Sequence, residues 1–458
     1  MAWLVLGLLG VYAASLLLLS RGEGGVGLQY LLDGRRLTLP AFVATLVTTW
    51  YGGILGIGEY AWRFGISTWL VFGVPYYIAA VAFAFLLAPR LRRSEAASIP
   101  DLLRTSYGPR AALAGGVAVY VLTIPAAYVL MLVTLLGEVT GWPVWLATVV
   151  AVGFSVAYVS MSGFRAVVRT DALQFVLMYG GFAILLPVAI GAIGGFSQLW
   201  HALPASHRAW DGGLGWQTIL VWYLIALQTM VEPAFYQRVF AAKTPKVARR
   251  GVLVSVVCWL VFDFLTTFSG LAARVLLPNL SDPVAAYPAL AAKLLPALPY
   301  ALFMIGLFAT VMSTLDSYLF LAAATVGHDL VRAPLAPAAE RRRTRWGLLL
   351  SGILAAAMAL IFGSVVEIWH HVGSVVTSSL LLPVVGLQLP PRFRFSEPGA
   401  VTAIVLAAAT SSGWILVAEG GAYPLHMEPM FPALLVSAVC FTADLMVRRV
   451  KRSGGEMR

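Results

Sequence analysis

The stretch FMIGLFATVMSTLDSYLFLAAATVGHD, residues 303–329, is long enough to cross a bilayer as a helix, which takes about 20 mostly apolar residues. Its middle nevertheless carries Thr310, Ser313, Thr314, Asp316 and Ser317. Positions 310, 313, 314 and 317 follow the spacing i, i+3, i+4, i+7, so four hydroxyls share one helical face. A single hydroxyl in a span commonly bonds back to the i−4 carbonyl or lets helices pack closely. Four in register, with a carboxylate beside them, point to a protein interior where oxygen ligands hold a hard cation.

The surrounding chain supplies that interior. It has 458 residues, 60% of them hydrophobic and only 11% charged, with a mean hydropathy of +0.86. Such a composition excludes a soluble domain and predicts an all-α polytopic membrane protein. The apolar runs are long and continuous, unlike the alternating strands of an outer-membrane barrel. Cys258 and Cys440 both lie in apolar runs, so neither a disulfide framework nor a metal cluster is indicated. Residues 2–20 lack a basic leading region and a small-residue cleavage site, and read as a retained first span.

Hydropathy predicts thirteen spans: 2–20, 40–63, 66–89, 112–138, 142–162, 170–195, 216–240, 250–276, 298–328, 345–363, 366–389, 398–418 and 428–447. Net charge is +11, which does not point to nucleic acid, because the cations cluster in short loops. Of the 31 Lys and Arg, all but Arg63, Arg208, Arg274 and Lys293 fall in or beside loops after odd-numbered spans or in the C-terminal tail. That asymmetry predicts a multi-pass protein of the cell membrane, with the N-terminus outside and the C-terminus cytoplasmic.

Spans 2–6 and 7–11 then start from opposite sides. The arrangement is a 5+5 inverted-repeat core, residues 40–195 and 196–390. It is preceded by a first span and loop (1–39) and followed by two further spans and a basic tail (391–458). Inverted-repeat carriers interrupt the first helix of each repeat. Span 2 crowds Gly52, Gly53, Gly56 and Gly58 at its centre, and span 7 carries Gln228, Glu232 and Pro233. Glycine and proline free backbone carbonyls at membrane depth, which is tolerated beside a cavity or inside protein.

Several motifs are similar to the sodium:solute symporter family. They are LQYLLDGRRLTLPAFVATLVTTWYGG (28–53), SIPDLLRTSYGPR (98–110), SGFRAVVRTDALQFVLM (162–178), EPAFYQRVFAAK (232–243) and MSTLDS (312–317). They occur in the family's order across residues 28–390. The resemblance implies a leucine-transporter-like fold and Na⁺ as the coupling ion. It also implies a sodium site built from the Ser313 and Thr314 hydroxyls, the Thr310 carbonyl and two span 2 carbonyls near Val47 and Trp50, with one residue of slack. A second sodium would draw on Asp171, the span 9 hydroxyl of Ser317 and Thr314. Asp171 reads equally as a helix cap at the inner end of span 6.

The resemblance places a solute cavity among spans 2, 4, 7 and 11. Candidate lining residues are Tyr51, Gly53, Glu59, Tyr120, Thr123, Gln228 and Glu232, with Tyr128, Trp222, Trp369 and His370 nearby. Glu59 has two readings, an i,i+4 pair with Arg63 or a group facing solute. No Lys or Arg is expected mid-span in the cavity, which disfavours a strongly anionic solute; amines, zwitterions and neutral polar compounds fit better. Asp263 lies within a span and takes no role from the sequence. The function expected is sodium-coupled import of a small polar organic solute by alternating access. A proton-coupled carrier and a solute sensor on the same fold are the alternatives. An enzyme is not expected, since neither metal-ligand spacing nor a nucleophile elbow occurs at membrane depth.

Overall fold

The structure is a computed structural model describing residues 2–22, 25–331, 336–361, 365–418 and 423–455. Residues 362 and 363, the expected end of span 10, and the extreme C-terminal residues of the basic tail lie outside it. Thirteen helices among the described residues are long and apolar enough to cross a membrane, and none of those residues forms a β-strand. Most boundaries fall within a few residues of those expected. Span 10 differs most, beginning at Pro337, ahead of its expected start at 345; span 6 also begins early, at Phe164, and runs to Ile193. The positively charged FRAVVRT segment, read as a loop, is its first two turns.

Span 9 (Ala297–Asp329) is the central post. In its most apolar window 78% of residues are buried, against 17% in span 1 (Ala2–Leu19) and 17% in span 13 (Met430–Arg449). The last two are therefore flanking helices whose apolar faces suit lipid. Burial of span 9 is continuous from Phe303 to Ala323, so its hydroxyl face meets protein on every side.

Small residues decide which helix lies closest. A Cβ at Gly306 would sit 2.7 Å from the Leu177 carbonyl oxygen, and one at Gly181 3.4 Å from Phe303. Spans 6 and 9 pack backbone against backbone there, as small residues permit in membrane helices. This close seam carries Asp171 to the hydroxyl face.

Three spans are interrupted. In span 2 the α-helix Leu39–Trp50 tightens to a 3₁₀ turn at Tyr51–Gly53 and resumes as Ile54–Phe64. In span 7 the helix Trp216–Ile225 gives way to a 3₁₀ segment, Ala226–Val231, before Pro233–Ala241. The third break was not expected: span 4 divides into Pro109–Thr123 and Ala126–Thr140, with Ile124 extended (φ −65°, ψ 116°) ahead of Pro125. A residue before proline is pushed out of the helical region by the ring.

Candidate functional site: an ion site beside an aromatic cavity

Two of the three breaks face span 9. At the first, Thr314 Oγ1 donates to the carbonyls of Thr48 (3.2 Å) and Thr49 (3.0 Å). These are each one residue from Val47 and Trp50, within the slack expected. Gly52 makes the approach possible, because a Cβ there would lie 2.3 Å from Thr314 Cβ. One position back, Ser313 Oγ donates to Asp171 Oδ1 at 2.6 Å, and Thr45 Oγ1 donates to Oδ2. The Thr310 hydroxyl turns back to its own helix, bonding the Gly306 carbonyl at 2.7 Å, which leaves its carbonyl one turn before Thr314. A hydroxyl that donates its proton keeps lone pairs to offer a cation. Ser313 and Thr314 therefore keep lone pairs free beside Asp171 and the span 2 carbonyls.

Asp171 is not a helix cap. Span 6 starts seven residues earlier, and the carboxyl is fully buried. Next to it is a group that sequence reading had placed at the end of span 7 among the loop cations. The guanidinium of Arg238 is completely buried. Its Nη2 donates to Thr45 (3.1 Å), Thr49 (2.8 Å) and Ser317 (2.7 Å) and lies 3.8 Å from Asp171 Oδ2. Asp171 and Ser317 thus both lie against one guanidinium. The missed signal is that Arg238 follows Glu232 by six residues within a half-helix that carries no other charge, whereas loop cations cluster beyond its end.

The second break builds the wall of a cavity. Glu232 caps the half-helix that begins at Pro233, accepting from Ala234 N at 3.4 Å. A carboxylate at a helix N-terminus is favoured by unpaired N–H groups and by the dipole. The Glu232 carboxylate accepts from the Tyr318 hydroxyl at 2.9 Å and from Gln228 Nε2 at 3.1 Å. Tyr236 OH donates to the freed Met230 carbonyl at 2.8 Å, which satisfies backbone that the break would otherwise orphan.

The cavity encloses about 1040 Å³ including its mouth, and its wall takes in Trp50, Tyr51, Gly53, Tyr128, Gln228 and Glu232. Trp222, Trp369, Tyr76 and Asp263 also face it, and among the described residues no Lys or Arg does. Four expected contributors are in this wall: Tyr51, Gly53, Gln228 and Glu232. Three are not. Glu59 pairs with Arg63 at 2.9 Å, away from the cavity. Thr123 is buried and bonds its own Val119 carbonyl at 2.8 Å. Tyr120 accepts from Ser351 at 3.3 Å. The break at Ile124–Pro125 is the reason: it re-aims span 4 so that Tyr128, beyond it, takes the wall position. His370 turns away to Glu428, at 3.1 Å, while its neighbour Trp369 lies over Gly53. Asp263 gains a place it lacked, accepting from Tyr51 (2.7 Å) and from Tyr77.

A smaller cavity lies among Ser98, Tyr236, Gln237, Thr325, His328 and Asp329. Polar contacts tie its rim: His328 joins Asp101 (2.9 Å) and Glu340 (2.5 Å), and Ser98 donates to Asp329 at 2.5 Å. Burial pushes the Asp101 carboxyl up, but the hydrogen bond and charge of His328 hold it below the usual carboxylate range.

Residues 30–406 match the sequence model of the sodium:solute symporter family. The chain belongs to that family. It is 25% identical to the sodium/pantothenate symporter of Escherichia coli (strain K12), over 90% of this chain and 89% of that protein. It is 24% identical to the osmoregulated proline transporter OpuE of Bacillus subtilis (strain 168), over 90% and 89%. A sodium/pantothenate symporter of Haemophilus influenzae is 24% identical over 65% of this chain and 63% of its own length. Among solved structures, a substrate-bound, outward-open Na⁺-coupled sialic acid symporter superposes with a TM-score of 0.80 at 17% identity, covering 98% of this chain and 97% of its own. Mhp1, a nucleobase-cation-symport-1 family transporter with bromovinylhydantoin bound, gives 0.63 at 13%, covering 95% and 96%. These neighbours share the leucine-transporter-like fold, and relatives and neighbours alike are transporters, not enzymes.

Proposed function

We propose that this protein is a sodium-coupled importer of a small polar organic solute. The observation that carries the reading is the meeting of Ser313 and Thr314 with the Thr48 and Thr49 carbonyls, at a break that also borders the solute cavity. A cation held there fixes span 2 against span 9. The same segment of span 2 supplies Trp50, Tyr51 and Gly53 to the cavity wall, so ion and solute bind to one structural element and stabilise each other's site. The N-terminus lies outside and the C-terminus inside; sodium entering the cell moves with an inside-negative membrane potential, which contributes about 2.3 kcal/mol per charge per 100 mV.

For the solute, the cavity offers aromatic faces, two carboxylates and an amide, with no basic side chain. Aromatic faces and carboxylates attract cationic or zwitterionic groups, so an amine, a zwitterion or a neutral polar compound fits better than a strong anion. The repeats 40–195 and 196–390 move against each other about this site, exposing the large cavity to one side and the smaller one to the other.

Thermal stability of the purified protein in NaCl, compared with equal KCl and choline chloride, tests the reading. A ligand at a hundred times its Kd stabilises by about 2.7 kcal/mol. A sodium-specific rise that Ser313→Ala/Thr314→Ala removes is expected. No sodium effect up to molar salt would sink the proposal. The same assay across pH with Asp171→Asn and Glu232→Gln would then test proton coupling.

A further inference from the structure

Two carboxylates reach the large cavity, and their surroundings differ. Glu232 has compensation built in. It caps the half-helix Pro233–Ala241, where unpaired N–H groups and the dipole favour an anion. Three donors surround it: the Tyr318 hydroxyl, Gln228 Nε2 and Ala234 N. Asp263 lacks a helix end. It sits well inside the long helix Pro245–Leu276, beyond the terminal turns in which a dipole acts. Its partners are two phenols, Tyr51 at 2.7 Å and Tyr77. The Tyr51 hydroxyl has one proton to give, and the Trp259 carbonyl lies 3.1 Å from it as well. A carboxylate offers about four lone-pair sites, so two phenols leave Asp263 half satisfied. Among the described residues neither Asp263 nor Glu232 joins an ion pair. A buried carboxylate without a cationic partner is costly.

The cavity wall beside Asp263 suits such a partner. Trp50 and Tyr76, the chain neighbours of Tyr51 and Tyr77, both line it, with ring centroids 5.2 Å apart in edge contact. A carboxylate next to aromatic faces is the chemistry that holds an ammonium group. The positions that would hold an anionic group are taken. Anions bind at helix N-termini, and Glu232 caps one half-helix while the Trp369 ring covers Gly53, the N-cap of the other.

We propose that the solute is an organic monocation, an ammonium compound with an apolar or aromatic body, and that Asp263 is the residue that selects it. The ammonium group takes the open lone pairs of Asp263, and the body lies among the aromatic rings. A neutral compound leaves Asp263 without a counter-charge. A zwitterion brings no net charge to offset it, and its own carboxylate meets Glu232 or the Trp369 indole at the half-helix ends. Through Tyr51 the bound charge also acts on the 3₁₀ turn Tyr51–Gly53, which packs against Thr314 at Gly52. Solute charge and sodium are thereby linked through one short segment.

This inference rests on the reading of the large cavity as the solute site and narrows it to one solute class. The melting temperature of the purified full-length protein is measured in NaCl and in KCl with matched probes. Choline is set against 3,3-dimethylbutan-1-ol, its uncharged carbon isostere, and phenethylamine against 2-phenylethanol. Proline and glycine betaine serve as zwitterions. In NaCl at least one ammonium probe is expected to stabilise the wild type at a concentration about tenfold or more below its neutral counterpart and below both zwitterions. Asp263→Asn removes that preference, and Asp263→Glu, which retains the charge, keeps it. A merely structural aspartate would lower the melting temperature of Asp263→Asn without changing the preference for charge. A neutral probe or zwitterion that stabilises as well as the cations, no stabilisation by either ammonium probe, or a preference that survives in Asp263→Asn would each overturn the proposal. Sodium coupling is read separately, from the NaCl-against-KCl shift without solute, and stands or falls on that shift. An ammonium preference that is equal in the two salts overturns sodium coupling and leaves the solute class in place. If Asp263→Asn does not fold, the wild-type and Asp263→Glu preferences decide.

Discussion

The two interruptions in spans 2 and 7 use opposite chemistry for the same local problem. The first is made by subtraction. Gly52 and Gly53 have no side chains, and other helices enter the space: Thr314 at one, Trp369 at the other. The second is made by addition. Pro233 stops the preceding turn, and Glu232 supplies a carboxylate that caps the next half-helix and gathers Tyr318 and Gln228. Subtraction leaves bare carbonyls close to a neighbour's hydroxyls, which suits an ion. Addition leaves a charged, hydrogen-bonded wall, which suits a solute. The two breaks meet across span 9, with Thr314 serving one and Tyr318 the other, one turn apart.

The largest expected effect comes from adding a side chain where the first break needs none. In Gly52→Ala the new Cβ falls 2.3 Å from Thr314 Cβ. Overpacking of this kind costs about 1–3 kcal/mol, and the sodium-specific thermal shift should vanish. Gly53→Ala meets Trp369 at 1.7 Å instead; the sodium shift should persist while solute uptake is lost. If both substitutions abolish the same property, the division of labour drawn here is wrong.

Glu232→Gln probes the other break. It keeps the shape and removes the charge. Hydrogen bonds to charged groups contribute about 1.5–3 kcal/mol, so solute affinity should fall tenfold or more with the sodium shift unchanged. Isothermal titration with the transported solute, once a screen in sodium has found it, reads this directly. Tyr318→Phe removes one donor to the same carboxylate and should lower affinity by about 0.5–1.5 kcal/mol. A larger loss in Tyr318→Phe than in Glu232→Gln would place the solute on the phenol. Glu59→Gln supplies the lower bound. Its pair with Arg63 is partly exposed, such pairs contribute about 0.2–0.5 kcal/mol, and uptake should match the wild type.

Much of this was legible in the residues. Thirteen spans follow from apolar runs, because a bilayer imposes length and composition on each helix separately. The hydroxyl face of span 9 follows from helical spacing, and the breaks in spans 2 and 7 from Gly52, Gly53 and Pro233. What resisted reading needed knowledge of partners. Pro125 was visible in the sequence, but its break moves the wall position from Thr123 to Tyr128 only because span 4 faces the cavity. Asp171 reads as a cap when span 6 is started at residue 170, because Arg165 and Arg169 look like loop charges. The helix in fact starts at Phe164.

The sequence alone determined that this chain folds as a bundle of membrane helices and that span 9 carries hydroxyls and a carboxyl group into its centre. Hydrophobic length and helical periodicity are properties of one segment at a time. Tertiary structure decided which charges stay at the surface and which are buried. Arg238 looks like one more basic residue near a membrane surface until spans 2, 6 and 9 close around it with Thr45, Thr49, Asp171 and Ser317. A charge in hydrocarbon is tolerated only where partners from other helices meet it, and no linear reading of a single span shows where those partners come from.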